Sequence, residues 1–181
     1  TVNSKEELEN QINQDNLLES LKRVKVQPGE FYFIPAGTIH SIGSGITVYE
    51  TMQSSDITYR LYDYNRQREN SSSLDVDKAL DVIQYSQELP SIVPENEIIE
   101  NHKCSHIVSN DFFTMVKWEV SGTLNYMKPR EFCLVSVLNG DGQIIIDGEI
   151  FKIQKGSNFV LTSEDLDSVF EGDFTLIISY I

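Results

Sequence analysis

The segment PGEFYFIPAGTIH, residues 28–40, decides how the rest of the chain is read. Pro28-Gly29 and Pro35-Ala36-Gly37 are turn formers, because proline presets φ and glycine accepts the left-handed region. Between them Phe31, Tyr32, Phe33 and Ile34 have the aromatic and β-branched character of a short strand entered and left by turns. Gly29, Pro35, Gly37 and His40 fall in the spacing G-x5-P-x-G-x2-H. The glycines and Pro35 bend the strand sharply, and the imidazole that follows is aimed into the interior of a β scaffold, where a neutral ring nitrogen binds a divalent metal. A lone histidine on such a scaffold is more often a satisfied structural residue. The spacing of four residues turns the reading of His40 toward a metal ligand.

Upstream, Ser4 followed by Glu7 is a capping-box pattern, and Leu8, Ile12, Leu17, Leu18 and Leu21 supply the apolar positions of one or two short helices over residues 5–21. Downstream, strand-like runs are expected at 46–51 and 57–62. Residues 66–73 read as a polar loop, and 74–83 return to helical spacing through Val76, Ala79, Leu80 and Ile83. The prolines and acids of 90–97 mark a linker. Beyond it, strands are expected at 104–108, 112–120, 132–138, 143–147, 149–153, 157–161 and 173–180. Glycines 122, 140, 142, 148, 156 and 172 punctuate them, with Asp147-Gly148 as a hairpin turn. The chain is therefore mainly β with short helices, in two modules: 1–95, carrying the motif, and 96–181.

The 181 residues include 40% hydrophobic and 23% charged side chains, a composition suited to packed domains rather than disorder. A net charge of −14 repels phosphate backbones and anionic headgroups, so neither a nucleic-acid nor a membrane-surface role has electrostatic support. A phosphorylated small molecule would need a local basic cradle, for which Arg60, Arg66 and Arg68 are the candidates. Two cysteines, Cys104 and Cys133, with no secretory segment and no spanning apolar run, suit a reducing cytoplasmic location.

The spacing around His40 is the second sequence motif of the cupin superfamily, which implies jelly-roll or β-sandwich modules. The segment IPAGTIHSIGSGITVYETMQSSDITYRLYDYNR, residues 34–66, continued by LDVDKALDVI at 74–83, resembles type I mannose-6-phosphate isomerases of the bacterial kind. The resemblance is close over about residues 20–85 and looser beyond. It implies a zinc-dependent interconversion of mannose 6-phosphate and fructose 6-phosphate through a cis-enediol. His40 would match the last zinc ligand, Arg60 the arginine beside the reacting carbons, and Glu50 an acidic residue of the same pocket. The chemistry needs these types, since moving a proton between adjacent carbons takes an acid/base group and the enediolate oxygens take a positive partner. The plain alternatives are a strand arginine paired with Glu50 or Asp56, and a solvated glutamate.

One histidine cannot make a catalytic zinc site, which takes about three protein ligands. Residues 24–62 also supply only about four strands where a closed jelly roll needs about eight. The first module is expected to be incomplete, and its apolar face to require upstream chain or a partner subunit. The survival of His40, Glu50 and Arg60 together favours part of a longer isomerase, inactive by itself. A catalytically silent sugar-phosphate-binding or structural cupin is the alternative. The second module reads as a faded copy: with Gly156 aligned on Gly29, Thr162 takes the proline place, Glu164 the glycine place and Asp167 the histidine place. The run Leu138-Asn139-Gly140-Asp141-Gly142 resembles the turn into the preceding hairpin, again without histidines. Residues 96–181 are accordingly expected to be structural. In extended chain His102 and His106 lie about 13 Å apart, too far for one ion, so both are expected to be structural or exposed, with Cys104 and Cys133 as small apolar residues.

Overall fold

Ser4, extended at φ −145° and ψ 162°, takes the Glu7 N–H on its Oγ at 3.2 Å, while Glu7 Oε2 accepts the Asn3 N–H at 3.0 Å. These two bonds satisfy donors that a helix start otherwise leaves unpaired. They open α1 (Lys5–Asn13), which is followed by α2 (Leu17–Ser20). The computed structural model describes residues 2–55, 57–63, 74–85, 88–164 and 167–181. The chain divides into two compact units, Thr1–Ser91 and Ile92–Ile181.

In the first unit Leu8 and Leu17 bury against Leu61, Ala79 and Leu80, with Ile12, Ile39, Tyr62 and Ile83 packed around them. Ala79 and Leu80 come from α3 (Val76–Val82), where helical spacing placed them. Both ends of α3 are tied by backbone hydrogen bonds to the segments that carry Arg60 and Gly37. The Asp75 N–H donates to the carbonyl of Arg60 at 3.1 Å, and the Gln84 N–H donates to the carbonyl of Gly37 at 3.0 Å.

The strands expected at 31–34, 46–51 and 57–62 are not formed: among the described residues of this unit no residue sits in a β ladder. The turns around them are present, at 28–29, 36–37 and 44–45. A strand exists only where a neighbouring backbone receives its N–H and C=O groups, and among the described residues no neighbour is available. Val24, Val26, Tyr32, Ile46, Val48 and Met52 are correspondingly exposed.

The second unit is a seven-stranded antiparallel sheet of β1 (Glu95–Ile99), β2 (His102–Ser109), β3 (Thr114–Met127), β4 (Cys133–Ile146), β5 (Glu149–Gln154), β6 (Asn158–Leu161) and β7 (Asp167–Tyr180). Its order is β1-β2-β3-β7-β4-β5, with β6 also on β4. The stretch read as a linker thus contributes an edge strand from Glu95 onward. One core receives side chains from β2 to β7, including Cys104, Trp118, Leu124, Val137, Phe170, Phe174 and Leu176. Asp147 (φ 51°) and Gly148 (φ 83°) turn β4 into β5 with both residues left-handed, the I′ hairpin geometry.

Gly148 and Gly156 lie in turns as read, whereas Gly122, Gly140, Gly142 and Gly172 lie inside strands. β3, β4 and β7 each run 14 residues, beyond the usual length, and such strands must bend to cover a core. Gly122 pairs with Gly172 and Gly172 with Gly142, a glycine row across all three. A Cβ on Gly172 would lie 2.6 Å from the Asp141 carbonyl oxygen and 2.7 Å from Gly142 Cα, so only glycine lets the backbones approach this closely. The run 138–142 is likewise no turn: β4 continues through it with a register shift between Val137 and Asn139. Among the described residues no helix is long and apolar enough to cross a membrane.

Candidate functional site

Gly37, at φ +80°, sits where its Cβ would approach the Val82 carbonyl oxygen to 2.6 Å and Gln84 Cγ to 2.8 Å. Only glycine suits both that conformation and that proximity to the end of α3. Two residues on, Ile39 packs into the small helical core, while the next residue, His40, is exposed. His40 Nδ1 lies 2.9 Å from the carbonyl oxygen of Thr38. A carbonyl can only accept, so Nδ1 carries the hydrogen and Nε2 keeps an unshared pair. That is the arrangement by which a backbone carbonyl fixes the tautomer of a ligating histidine. His40 therefore fits the part of one donor to a divalent metal. Among the described residues no group of three His, Cys, Asp or Glu donors includes it.

Arg60 and Glu50 are exposed. Arg60 is placed through its backbone, by the Asp75 hydrogen bond, and by its neighbour Leu61 in the core. Among the described residues no hydrogen bond or ion pair joins Arg60 to Glu50, so that pairing does not account for the arginine. The phosphate candidates Arg66 and Arg68, and Asp56, the other expected partner of Arg60, lie outside the described residues.

The proposed repeat has a geometric counterpart. Gly29 and Gly156 both hold φ +90°. In one turn the Glu30 N–H donates to the Gln27 carbonyl at 3.2 Å, and in the other the Ser157 N–H donates to the Gln154 carbonyl at 2.8 Å. The side chains repeat the pattern, since Gln27 N–H donates to Glu30 Oε2 at 2.8 Å and Gln154 N–H to Ser157 Oγ at 3.0 Å. Turns at 36–37 and 163–164 follow in step. Residues 158–161 form β6 because β4 lies beside them, whereas 31–34 have no such neighbour among the described residues. Asp167, in the histidine place, is exposed at the start of β7.

His102 is 1% exposed and both its nitrogens are engaged. Nδ1 accepts the Ser121 N–H at 3.2 Å, which leaves Nε2–H to donate to the Thr123 carbonyl at 3.0 Å. It is a satisfied structural histidine. His106 is exposed, with Nε2 2.8 Å from Glu97 Oε1 and 3.7 Å from Cys104 Sγ. Burial, with the nearby Glu97 carboxylate adding to it, pushes the Cys104 thiol up to about 11. Sequence reasoning read His102 and His106 as structural or exposed, and His102 is buried while His106 is exposed. The alternation of Cys104 and His106 was visible, but the cross-strand partner Glu97 depends on a register that sequence does not supply.

The family described as mannose-6-phosphate isomerase, cupin domain, matches residues 102–181. The mannose-6-phosphate isomerase of Streptococcus mutans is 34% identical over 179 residues, covering 98% of this chain and 56% of that protein. The mannose-6-phosphate isomerase ManA of Bacillus subtilis is 36% identical over 185 residues, covering 98% of this chain and 57% of its own length. The crystal structure of a mannose 6-phosphate isomerase from Bacillus subtilis superposes with a TM-score of 0.93 at 33% identity, over 100% of this chain and 58% of that one. The chain thus spans a little over half the length of the relatives it matches.

Proposed function

The chain is, over the part of those proteins that it spans, a member of the mannose-6-phosphate isomerase family that carries their cupin domain at residues 102–181; from that premise we propose that it forms part of a zinc-dependent aldose-ketose isomerase interconverting mannose 6-phosphate and fructose 6-phosphate. The observation that carries the reading is the agreement of sequence and backbone over essentially the whole chain with isomerases of that name. The 181 residues by themselves are inactive in this reading, because a catalytic zinc site takes about three protein ligands and among the described residues no group of three donors includes His40.

His40 would hold the ion through Nε2, and zinc, when bound, orients the sugar oxygens as a Lewis acid. The remaining work falls to side chains of this chain. In the forward direction the C2 proton passes to the Glu50 carboxylate as the electron pair forms the C1–C2 double bond of a cis-enediolate. The same proton returns at C1 as the carbonyl forms at C2, and the O2 hydroxyl hydrogen moves to O1, so atoms and charge balance. Arg60 supplies the positive charge that the enediolate oxygens need while they carry the developing negative charge. Cys104 and Cys133 are both free and buried, which suits a reducing cytoplasm.

The deciding experiment uses the polypeptide that carries these residues together with the remaining length of the relatives. His40→Ala should lose bound zinc and turnover together, whereas Arg60→Ala should keep zinc and lose about 10²- to 10³-fold in kcat. A His40→Ala protein that retains both would remove His40 from the site. The second reading, a catalytically silent cupin that binds a sugar phosphate or serves as a scaffold, is favoured by the absence of a three-donor group around His40 among the described residues. It predicts sugar-phosphate binding without turnover in that longer polypeptide.

A further inference from the structure

β1 and β2 pair with Glu97 directly opposite Cys104. His106 follows two residues along β2, so the alternation of a strand returns it to the face of Cys104. Ser105, between them, points the other way and donates to Asn96 Oδ1 at 2.6 Å, a bond that ties down the same register independently. Three donors of different chemistry therefore converge, a carboxylate, a thiol and an imidazole, with all their ligand atoms within 4.8 Å of one another. Behind them, Trp118 lies opposite Cys104 and Val116 opposite His106 on β3, both buried, so one side of the cluster is apolar and dry. On the other side Glu97 and His106 are about half exposed, at 51% and 52%, which leaves an entry path.

We propose that Glu97 Oε1, Cys104 Sγ and His106 Nε2 form a three-ligand site for a zinc-type divalent cation, with the fourth position left to water. The site shares no residue with the centre to which His40 would contribute. Bond lengths of about 2.0 to 2.3 Å to O, N and S in a tetrahedral arrangement set ligand atoms roughly 3.3 to 3.6 Å apart. The Sγ–Nε2 separation of 3.7 Å already matches, and the Nε2–Oε1 separation of 2.8 Å needs to open by about half an ångström. Both side chains that must move are exposed. Sulfur and imidazole select zinc or cobalt over magnesium or calcium, which want oxygen ligands alone.

The test is a Co²⁺ titration of the metal-free, reduced 181-residue chain, with Zn²⁺ added to displace the probe. The expected result is a near-ultraviolet thiolate-to-cobalt absorption that zinc removes. Cys104→Ser should abolish it. Glu97→Gln and His106→Gln, changes at exposed positions that leave the fold intact, should each weaken cobalt binding by about tenfold or more, since even partners of ligands cost that much. His40→Ala should leave the absorption unchanged. Absence of the band in the unmodified chain, its survival in Cys104→Ser, or unaltered affinity in His106→Gln would each overturn the proposal. Should Cys104→Ser fail to fold, the two exposed variants decide it.

Discussion

The ring of His40 is held by its own backbone: Nδ1 lies 2.9 Å from the carbonyl oxygen of Thr38, two residues earlier. This contact assigns the hydrogen to Nδ1 and frees Nε2, at an exposed position, for an ion. In nitrogen-detected NMR the neutral form of His40 should carry its hydrogen on Nδ1, and Zn²⁺ should perturb Nε2 while sparing the Nδ1 signal. A neutral ring with its hydrogen on Nε2 would contradict the assignment.

Gly37→Ala places a methyl 2.6 Å from the Val82 carbonyl oxygen in a backbone conformation that L residues resist. Strain and overpacking together should cost about 2–4 kcal/mol of the stability of the first unit. Because the Gly37 carbonyl also receives the Gln84 N–H, loosening should spread to the end of α3. Hydrogen exchange at Gln84 reads this directly: faster exchange in the variant is expected, and unchanged exchange would separate Gly37 from the helix.

The glycine row of the second unit gives a parallel expectation. Gly172→Ala should destabilise the sheet by about 2–4 kcal/mol in denaturant unfolding. Gly148→Ala has no heavy atom within 4 Å of its new Cβ and should be milder, strained only through its positive φ of +83°. Equal losses at the two positions would show that backbone crossing is not what Gly172 serves.

Glu119 receives Lys117 at 2.9 Å and Lys103 at 3.5 Å. The Lys117 hydrogen bond, more than any other cause, holds its carboxyl below the ordinary 4.5 of a glutamate. A depressed carboxyl stabilises the fold above its unfolded value and loses that stabilisation as pH falls through its folded value. The contribution is small because the pair is exposed and salt screens it. The stability difference between the unmodified chain and Glu119→Gln should thus be present at neutral pH and be lost progressively as pH falls from the ordinary glutamate value through the depressed one. It should also shrink in high salt, which a denaturant midpoint measured at two pH values and two salt concentrations checks.

Much of the local structure follows from nearest-neighbour chemistry. Ser4 and Glu7 form their cap, Val76 to Ile83 their helical face, and Asp147-Gly148 its hairpin, each from interactions within a few residues. The readings that failed all depend on distant chain. Gly122, Gly142 and Gly172 look like turns in a window of ten residues and become strand interiors only when three strands are laid side by side. Residues 31–34 have every local property of a strand and do not become one, whereas 158–161, after the same kind of glycine turn, do.

Sequence by itself determined the kinship, the helices and the turn that precedes His40, because spacing and side-chain type carry those directly. Tertiary structure alone decided which extended segments find partners, that α3 fastens the segments bearing His40 and Arg60, and that Glu97 faces Cys104 beside His106. Pairing register and backbone approach are relations between residues far apart in the chain, and no local pattern of residues encodes them.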